Sequence, residues 1–187
     1  MYRAATYFFL LHNIDMSDNA AVKRCLSKLE IHFNSMGSTS QLYLGGQPID
    51  KQLRTQEVDS RVSQVAAIPQ VRRKLVLLQQ EMGEGKGLVM DGRDIGSVVF
   101  PDAELKIFLT ADLDVRTRRR MKEVAQNTDL LDFETVRENL VMRDQIDSTR
   151  EDSPLKKTAD AVVVDNSNLS PTEQLEMCLV LAQIRCD

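Results

Sequence analysis

The chain has 187 residues, of which 42% are apolar and 28% charged, enough to bury a sizeable core as one compact domain or as a core carrying small inserted lobes. That composition excludes a disordered or collagen-like chain. Lys plus Arg number 24 against 28 for Asp plus Glu, a net charge of -4, so the balance argues against a general nucleic-acid binder. Any phosphate must be held by a local arginine cluster.

In chain order, the first feature is the apolar run Ala4 to Leu11 (AATYFFLL). It is too short to span a bilayer and no small-residue cleavage site follows it, so it reads as a buried helix, and no membrane partner is expected. The period-two pairs Ile31/Phe33 and Leu42/Leu44 flank SMGSTS, and Gly45-Gly46 closes the second run, which predicts a small β-hairpin. From Thr55 the spacing turns helical, with Val58, Val62, Val65 and Ala66 on one side until Pro69 interrupts it. A second helix then carries Val71, Leu75, Leu78 and Met82 on one stripe.

After a turn from Gly83 to Gly87, the short apolar runs Leu88-Val89-Met90, Leu105 to Leu109 and Ala161 to Val164 read as strands. Continuous runs of that length separated by helices predict a buried parallel sheet in an α/β fold. Asp112 is expected to cap a helix through Arg116, Arg118, Arg119 and Arg120, and Asp132 another with Phe133, Val136 and Leu140 on its apolar face. Ser170-Pro171-Thr172-Glu173 is a capping box with proline at the first helical position. It opens a last helix expected to bury Leu175, Cys178, Leu179 and Ala182. The three cysteines, Cys25, Cys178 and Cys186, show neither CxxC nor Cys/His spacing. An odd count without those patterns points away from a disulfide framework or a zinc site and toward a reducing, cytoplasmic compartment.

The densest functional signal is Asp91-Gly92-Arg93-Asp94-Ile95-Gly96. Two carboxylates, an arginine and two glycines stand where a parallel strand is expected to end, the edge at which open α/β sheets bind ligands. The glycines permit close approach to the backbone and Arg93 offers a planar fork for phosphate, although an ordinary charged turn would read the same way. Arg143, Asp147 and Arg150 share one helical stripe, a pattern also found on solvated salt-bridged faces. Arg116-Thr117-Arg118-Arg119-Arg120 packs four arginines into five residues. A mobile lid closing on a polyphosphate would use them, and a surface helix paired with acidic neighbours would look alike.

A G-x-x-x-x-G-K-[ST] phosphate loop does not occur in these 187 residues. Gly83-Glu84-Gly85-Lys86-Gly87 resembles only its end, because Lys86 is followed by glycine and the stretch precedes an expected strand instead of following one.

Taken together, the sequence resembles the bacterial cytidylate kinases of the nucleoside monophosphate kinase superfamily. The resemblance rests on Met1-Tyr2-Arg3 with Ala5-Thr6-Tyr7, on Arg54-Thr55-Gln56-Glu57-Val58, on Ser63-Gln64-Val65-Ala66-Ala67 with Pro69 and Val71-Arg72, and on DGRDIGSVVFPDAELKIFLTA from Asp91 to Ala111. Further blocks are Arg116 with Arg119-Arg120-Met121, and Arg143-Asp144 with Asp147, Arg150 and Ser153-Pro154-Leu155.

The resemblance implies a P-loop nucleoside monophosphate kinase fold: a parallel-sheet core, a lid at about 112–130, and a nucleotide-binding lobe with a small antiparallel insertion at about 27–55, all in a single domain over 1–187. It implies that Ser63, Arg72 and Asp94 read cytosine. A carboxylate accepts from the exocyclic amine that uracil replaces with an oxygen. By the same resemblance Arg3, Arg93 and Arg150 hold the monophosphate, and Arg143 with Asp147 orients the sugar and that last arginine. Arg116, Arg119 and Arg120 would be lid residues at the donor phosphates, with Arg119, Arg120 and Arg150 catalytic.

The implied reaction passes the γ-phosphoryl group of ATP to CMP or dCMP, with Mg2+ accompanying ATP and no separate metal site in the protein. The attacking group is already an anionic phosphate oxygen, which suits the scarcity of histidine: His12 and His32 read as structural or surface residues. In the family, the first strand and the P-loop precede the stretch matching Met1-Tyr2-Arg3. The expectation is therefore an amino-terminally incomplete kinase domain, inactive or nearly so alone, prone to self-association where the complete protein is a monomer. The alternative is a non-catalytic CMP-binding module.

Overall fold

Capping chemistry sets most helix boundaries along the chain. The computed structural model describes residues 1–36, 39–124 and 132–186, which divide into two compact units, Met1–Val89 and Met90–Asp187.

In the first unit, α1 (Tyr2–Leu11) buries Ala4, Ala5, Thr6 and Phe9, as the apolar run predicts. Asp18 opens α2 (Asn19–Leu26) by accepting from the amides of Ala20 and Ala21 at 2.8 and 3.1 Å. The expected hairpin forms from β1 (Ile31–Met36) and β2 (Thr39–Leu44), antiparallel, with Ile31 opposite Leu44 and Phe33 opposite Leu42; residues 37 and 38 of its turn lie outside the described residues. Gly45 and Gly46 take φ of +53° and +78°, the left-handed conformations a tight turn requires, and lead into a short β3 (Gln47–Pro48). Thr55 caps α3 (Gln56–Ala67), and Pro69 starts α4 (Pro69–Gly83). Between them Ile68 is extended at φ -72° and ψ 117°, as the residue before proline must be to avoid its ring. Val22, Leu44, Val65, Val71 and Leu75 close around Phe9 to form the core of this unit.

The second unit is an α/β assembly in which β4 (Ile107–Thr110) and β5 (Val162–Asp165) pair in parallel, Ile107 opposite Val162 through Thr110 opposite Asp165. Helices α5 (Leu113–Val124), α6 (Phe133–Thr149) and α7 (Pro171–Cys186) accompany them. Asp112 accepts from the amides of Asp114 and Val115 at 2.9 and 3.3 Å, and Asp132 from that of Thr135 at 2.9 Å. The capping box forms in both directions. Ser170 N donates to Glu173 Oε2 at 2.8 Å, and Glu173 N to Ser170 Oγ at 3.3 Å.

Two expectations are corrected. Leu88-Val89-Met90 forms no strand: residues 86–91 are neither helix nor strand, and Val89 is 98% exposed. A strand exists only where a neighbour completes its backbone hydrogen bonds, and a run of three apolar residues does not supply one. The stripe on α7 is also not buried. Leu175 and Leu179 are 59% and 54% exposed, while Cys178 and Ala182 are half-buried. Periodicity identifies the face that seeks a partner, but burial requires an element opposite it. No helix among the described residues is long and apolar enough to cross a membrane.

Candidate functional site

The segment from Asp91 folds around one carbonyl. Asp94 O accepts from the amides of Ser97, Val98 and Val99 at 3.3, 2.9 and 3.3 Å, and Ile95 O from that of Phe100 at 2.7 Å, producing a single π-helical turn over Ile95–Val99. Such turns are rare and concentrate at functional sites. Gly96 packs closely on Lys106: a Cβ there would stand 3.2 Å from Lys106 Cδ, and the lysine side chain would have to shift by a few tenths of an ångström. The Asp94 side chain is buried, at 3% exposure.

Arg93, immediately before it, donates from Nε to Asp147 Oδ2 at 3.1 Å. The other oxygen of Asp147 accepts from Arg150 Nη1 at 3.2 Å, and Arg150 Nε donates to the Ser153 carbonyl at 2.8 Å. Ser153 has a φ of +51°, a left-handed conformation costly for a serine, in the loop that aims this carbonyl. Asp147 thus holds two guanidinium groups with one carboxylate, setting two planar cations side by side where an anion could meet both. Arg143 stands one turn earlier on α6 and is half-buried.

Three of the four arginines of α5 are engaged with their surroundings, and Arg118 is exposed. Arg116 Nη1 pairs with Asp144 Oδ2 of α6 at 2.6 Å, and Arg120 with Glu123 at 3.1 Å. Arg119 donates to Asn166 Oδ1 at 2.9 Å, to the Asn166 carbonyl at 2.7 Å and to that of Leu169 at 3.3 Å. It thereby ties α5 to the loop that follows β5. The part of the expected lid at 125–130 lies outside the described residues.

In the first unit, Arg72 is buried to 1% exposure, donates from Nη1 to the Ala66 carbonyl at 3.0 Å and lies 5.3 Å over the Tyr2 ring. Ala66 closes the last turn of α3, so the cation meets the negative end of that helix. Ser63 is half-buried on α3. Arg3 Nη1 donates to the Leu53 carbonyl at 2.8 Å and stands 2.5 Å from Asp59 Oδ1. A separate cavity of about 250 Å³, lined by residues including Phe9, Asn13, Glu57 and Arg61, contains none of the site residues expected from the sequence.

Sequence reading assigns no role to Asp59, Asp144, Asn166 or Ser153, although each holds a candidate arginine. The partners of Arg3, Arg116 and Arg119 lie 56, 28 and 47 positions away, separations at which no spacing rule operates. Lys106 carries no such signal either. Its side chain is 9% exposed and its ammonium donates to Asp160 at 2.7 Å and to the Pro101 carbonyl.

The Lys106 hydrogen bond, and after it one with Thr158, holds the Asp160 carboxyl below its ordinary value. A depressed carboxylate stabilises the fold above the unfolded value of about 3.9, and that contribution disappears as pH falls through the folded-state value. Between about pH 5 and pH 3 the urea midpoint of the protein is expected to fall more steeply than that of Asp160→Asn; equal slopes would disprove the linkage. Burial pushes the Cys25 thiol up, the state of an inert cysteine packed in a core. The rings of His12 and His32 pack against Phe8 and Tyr43.

Comparison with known proteins identifies the family. The family model described as Cytidylate kinase matches residues 1–184. The cytidylate kinase of Flavobacterium psychrophilum is 48% identical over 186 residues, covering 97% of this chain and 82% of that protein. That of Cytophaga hutchinsonii is 41% identical, covering 97% and 79%, and that of Acholeplasma laidlawii 40%, covering 98% and 80%. An α/β fold with a parallel sheet and a family match over nearly the whole chain define a nucleotide phosphotransferase of the nucleoside monophosphate kinase class. Within that class, the chain belongs to the cytidylate kinase family.

Proposed function

We propose that the chain transfers the γ-phosphoryl group of ATP to CMP or dCMP, giving ADP and CDP or dCDP, in the cytoplasm as a step of pyrimidine nucleotide metabolism. The observation that carries this reading is Asp147 holding Arg93 and Arg150, one on each oxygen, beside the buried Asp94.

In this reading Arg93 and Arg150 neutralise the acceptor phosphate, and Asp147 fixes the plane of both guanidinium groups before the ligand arrives, so that little reorganisation accompanies transfer. Arg143 and Asp147 orient the sugar. By the family resemblance Asp94 accepts from the cytosine amine, and Ser63 and Arg72 are likewise assigned to the base. Arg3 adds a cation for the monophosphate. Mg2+ enters as the complex of ATP and shields its phosphates. Arg116, Arg119 and Arg120 stabilise charge on the transferring group, which requires Arg116 to exchange Asp144 for phosphate as the lid closes. No covalent intermediate is involved, because the attacking atom is a phosphate oxygen. The exposed stripe on α7 supports self-association of this chain.

The test is a titration with CMP, UMP and ATP in separate runs with Mg2+, followed by a coupled assay of ADP release. CMP binding with CMP-dependent ADP release supports the reading and overturns the expectation that these residues are inactive alone. CMP binding without turnover identifies a binding module, and absence of CMP binding overturns the reading.

A further inference from the structure

Arg3 sits in the first turn of α1, and its guanidinium is held from one side only. Nη1 donates to the Leu53 carbonyl at 2.8 Å and stands 2.5 Å from Asp59 Oδ1. Among the described residues no hydrogen bond leaves Nε or Nη2. These two nitrogens form the edge with two parallel N–H groups, the one that takes a pair of carboxylate or phosphate oxygens in a bidentate fork. The Arg3 side chain is 36% exposed, so part of it remains in reach of solvent.

Asp59 lies in the first turn of α3, where the helix dipole favours its charge. Its side chain is 24% exposed, and α3 packs directly on α1. The carboxylate is therefore a fixed point, and an arginine with four rotatable side-chain torsions gains a defined orientation from it.

We infer that Asp59 is a positioning residue for phosphate recognition: by engaging Nη1 together with the Leu53 carbonyl, it presents the Nε–Nη2 edge of Arg3 to the phosphate of a nucleoside monophosphate. The inference rests on the reading that Arg3 holds the acceptor phosphate. A carboxylate near an anion site also repels the ligand. Here that repulsion is offset because the charge of Asp59 is already shared with Arg3 and with the helix terminus.

A pair that merely fastened α1 to α3 would not distinguish a nucleotide from a nucleoside, and that contrast provides the test. The full chain, Asp59→Asn, Asp59→Glu and Arg3→Ala are titrated calorimetrically with CMP and with cytidine. Circular dichroism checks the fold of each variant. Asp59→Asn is expected to weaken CMP about tenfold, the effect of one misplaced charge-assisted hydrogen bond, with cytidine changed less than about twofold. Asp59→Glu is expected to recover part of the loss. Unchanged or tighter CMP binding in Asp59→Asn, or an equal loss for cytidine, overturns the positioning role. Unchanged CMP binding in Arg3→Ala overturns instead the reading beneath it, and a chain that binds neither ligand overturns both.

Discussion

Arg150→Ala is expected to lower kcat/KM for CMP by about three orders of magnitude with the far-UV circular dichroism unchanged. The size of the effect follows from how the side chain is held. It is 9% exposed, with Nη1 on Asp147 at 3.2 Å and Nε on the Ser153 carbonyl at 2.8 Å. A guanidinium fixed by two acceptors at defined angles loses little freedom when a phosphate arrives, so nearly all its interaction is available to the transition state. Lysine offers a point charge on a flexible stem and cannot occupy both acceptors in one plane, so Arg150→Lys should restore less than about a tenth of the lost activity. A loss confined to KM would show that Arg150 binds the ground state and the transition state equally, which would remove it from the catalytic group.

What the sequence disclosed divides along the range of the interactions involved. Asp132 and the pair Ser170/Glu173 cap their helices through hydrogen bonds spanning three residues, so pattern and structure report the same local chemistry. The pairing of Ile31 with Leu44 was legible in the period-two pattern, which sets the apolar residues of both strands on one face. Asp147 with Arg150 was legible for the same reason. Arg93 with Asp147, 54 positions apart, was legible only as two separate clusters that the fold then joined. The π-helical turn at Ile95–Val99 had no periodic signal, since it arises from one carbonyl meeting several amides around the glycine that Lys106 packs against. The failures at Leu88-Val89-Met90 and on α7 share a cause: an apolar pattern states a demand for a neighbour, and only the assembled structure shows whether one is present. The arginine run of α5 was read as a lid or as a paired surface helix. Among the described residues Arg116 and Arg120 meet the carboxylates of Asp144 and Glu123, contacts that a phosphate at either arginine would have to displace.

The other large effect concerns specificity. Asp94→Asn is expected to reduce the preference for CMP over UMP by about a hundredfold in kcat/KM, with most of the change on the CMP side. The two bases differ at the group the carboxylate would face, a donor amine in cytosine and an acceptor oxygen in uracil. With uracil, two acceptors would be forced together, and at 3% exposure Asp94 has little water to relieve them. An asparagine amide can present its NH2 group to the uracil oxygen, or its oxygen to the cytosine amine without the strength of a charged acceptor. It therefore narrows the gap from both sides. The exchange conserves side-chain volume, and the π-helical turn depends on the Asp94 carbonyl, which the substitution retains. Circular dichroism and thermal unfolding check that the variant stays folded, so that a change in the substrate ratio is read on intact protein. A ratio that stays unchanged in a folded Asp94→Asn protein would exclude this carboxylate as the reader of the exocyclic group and leave base recognition to Ser63 and Arg72, whose buried guanidinium donates hydrogen bonds and would favour an acceptor-bearing edge of the ring instead.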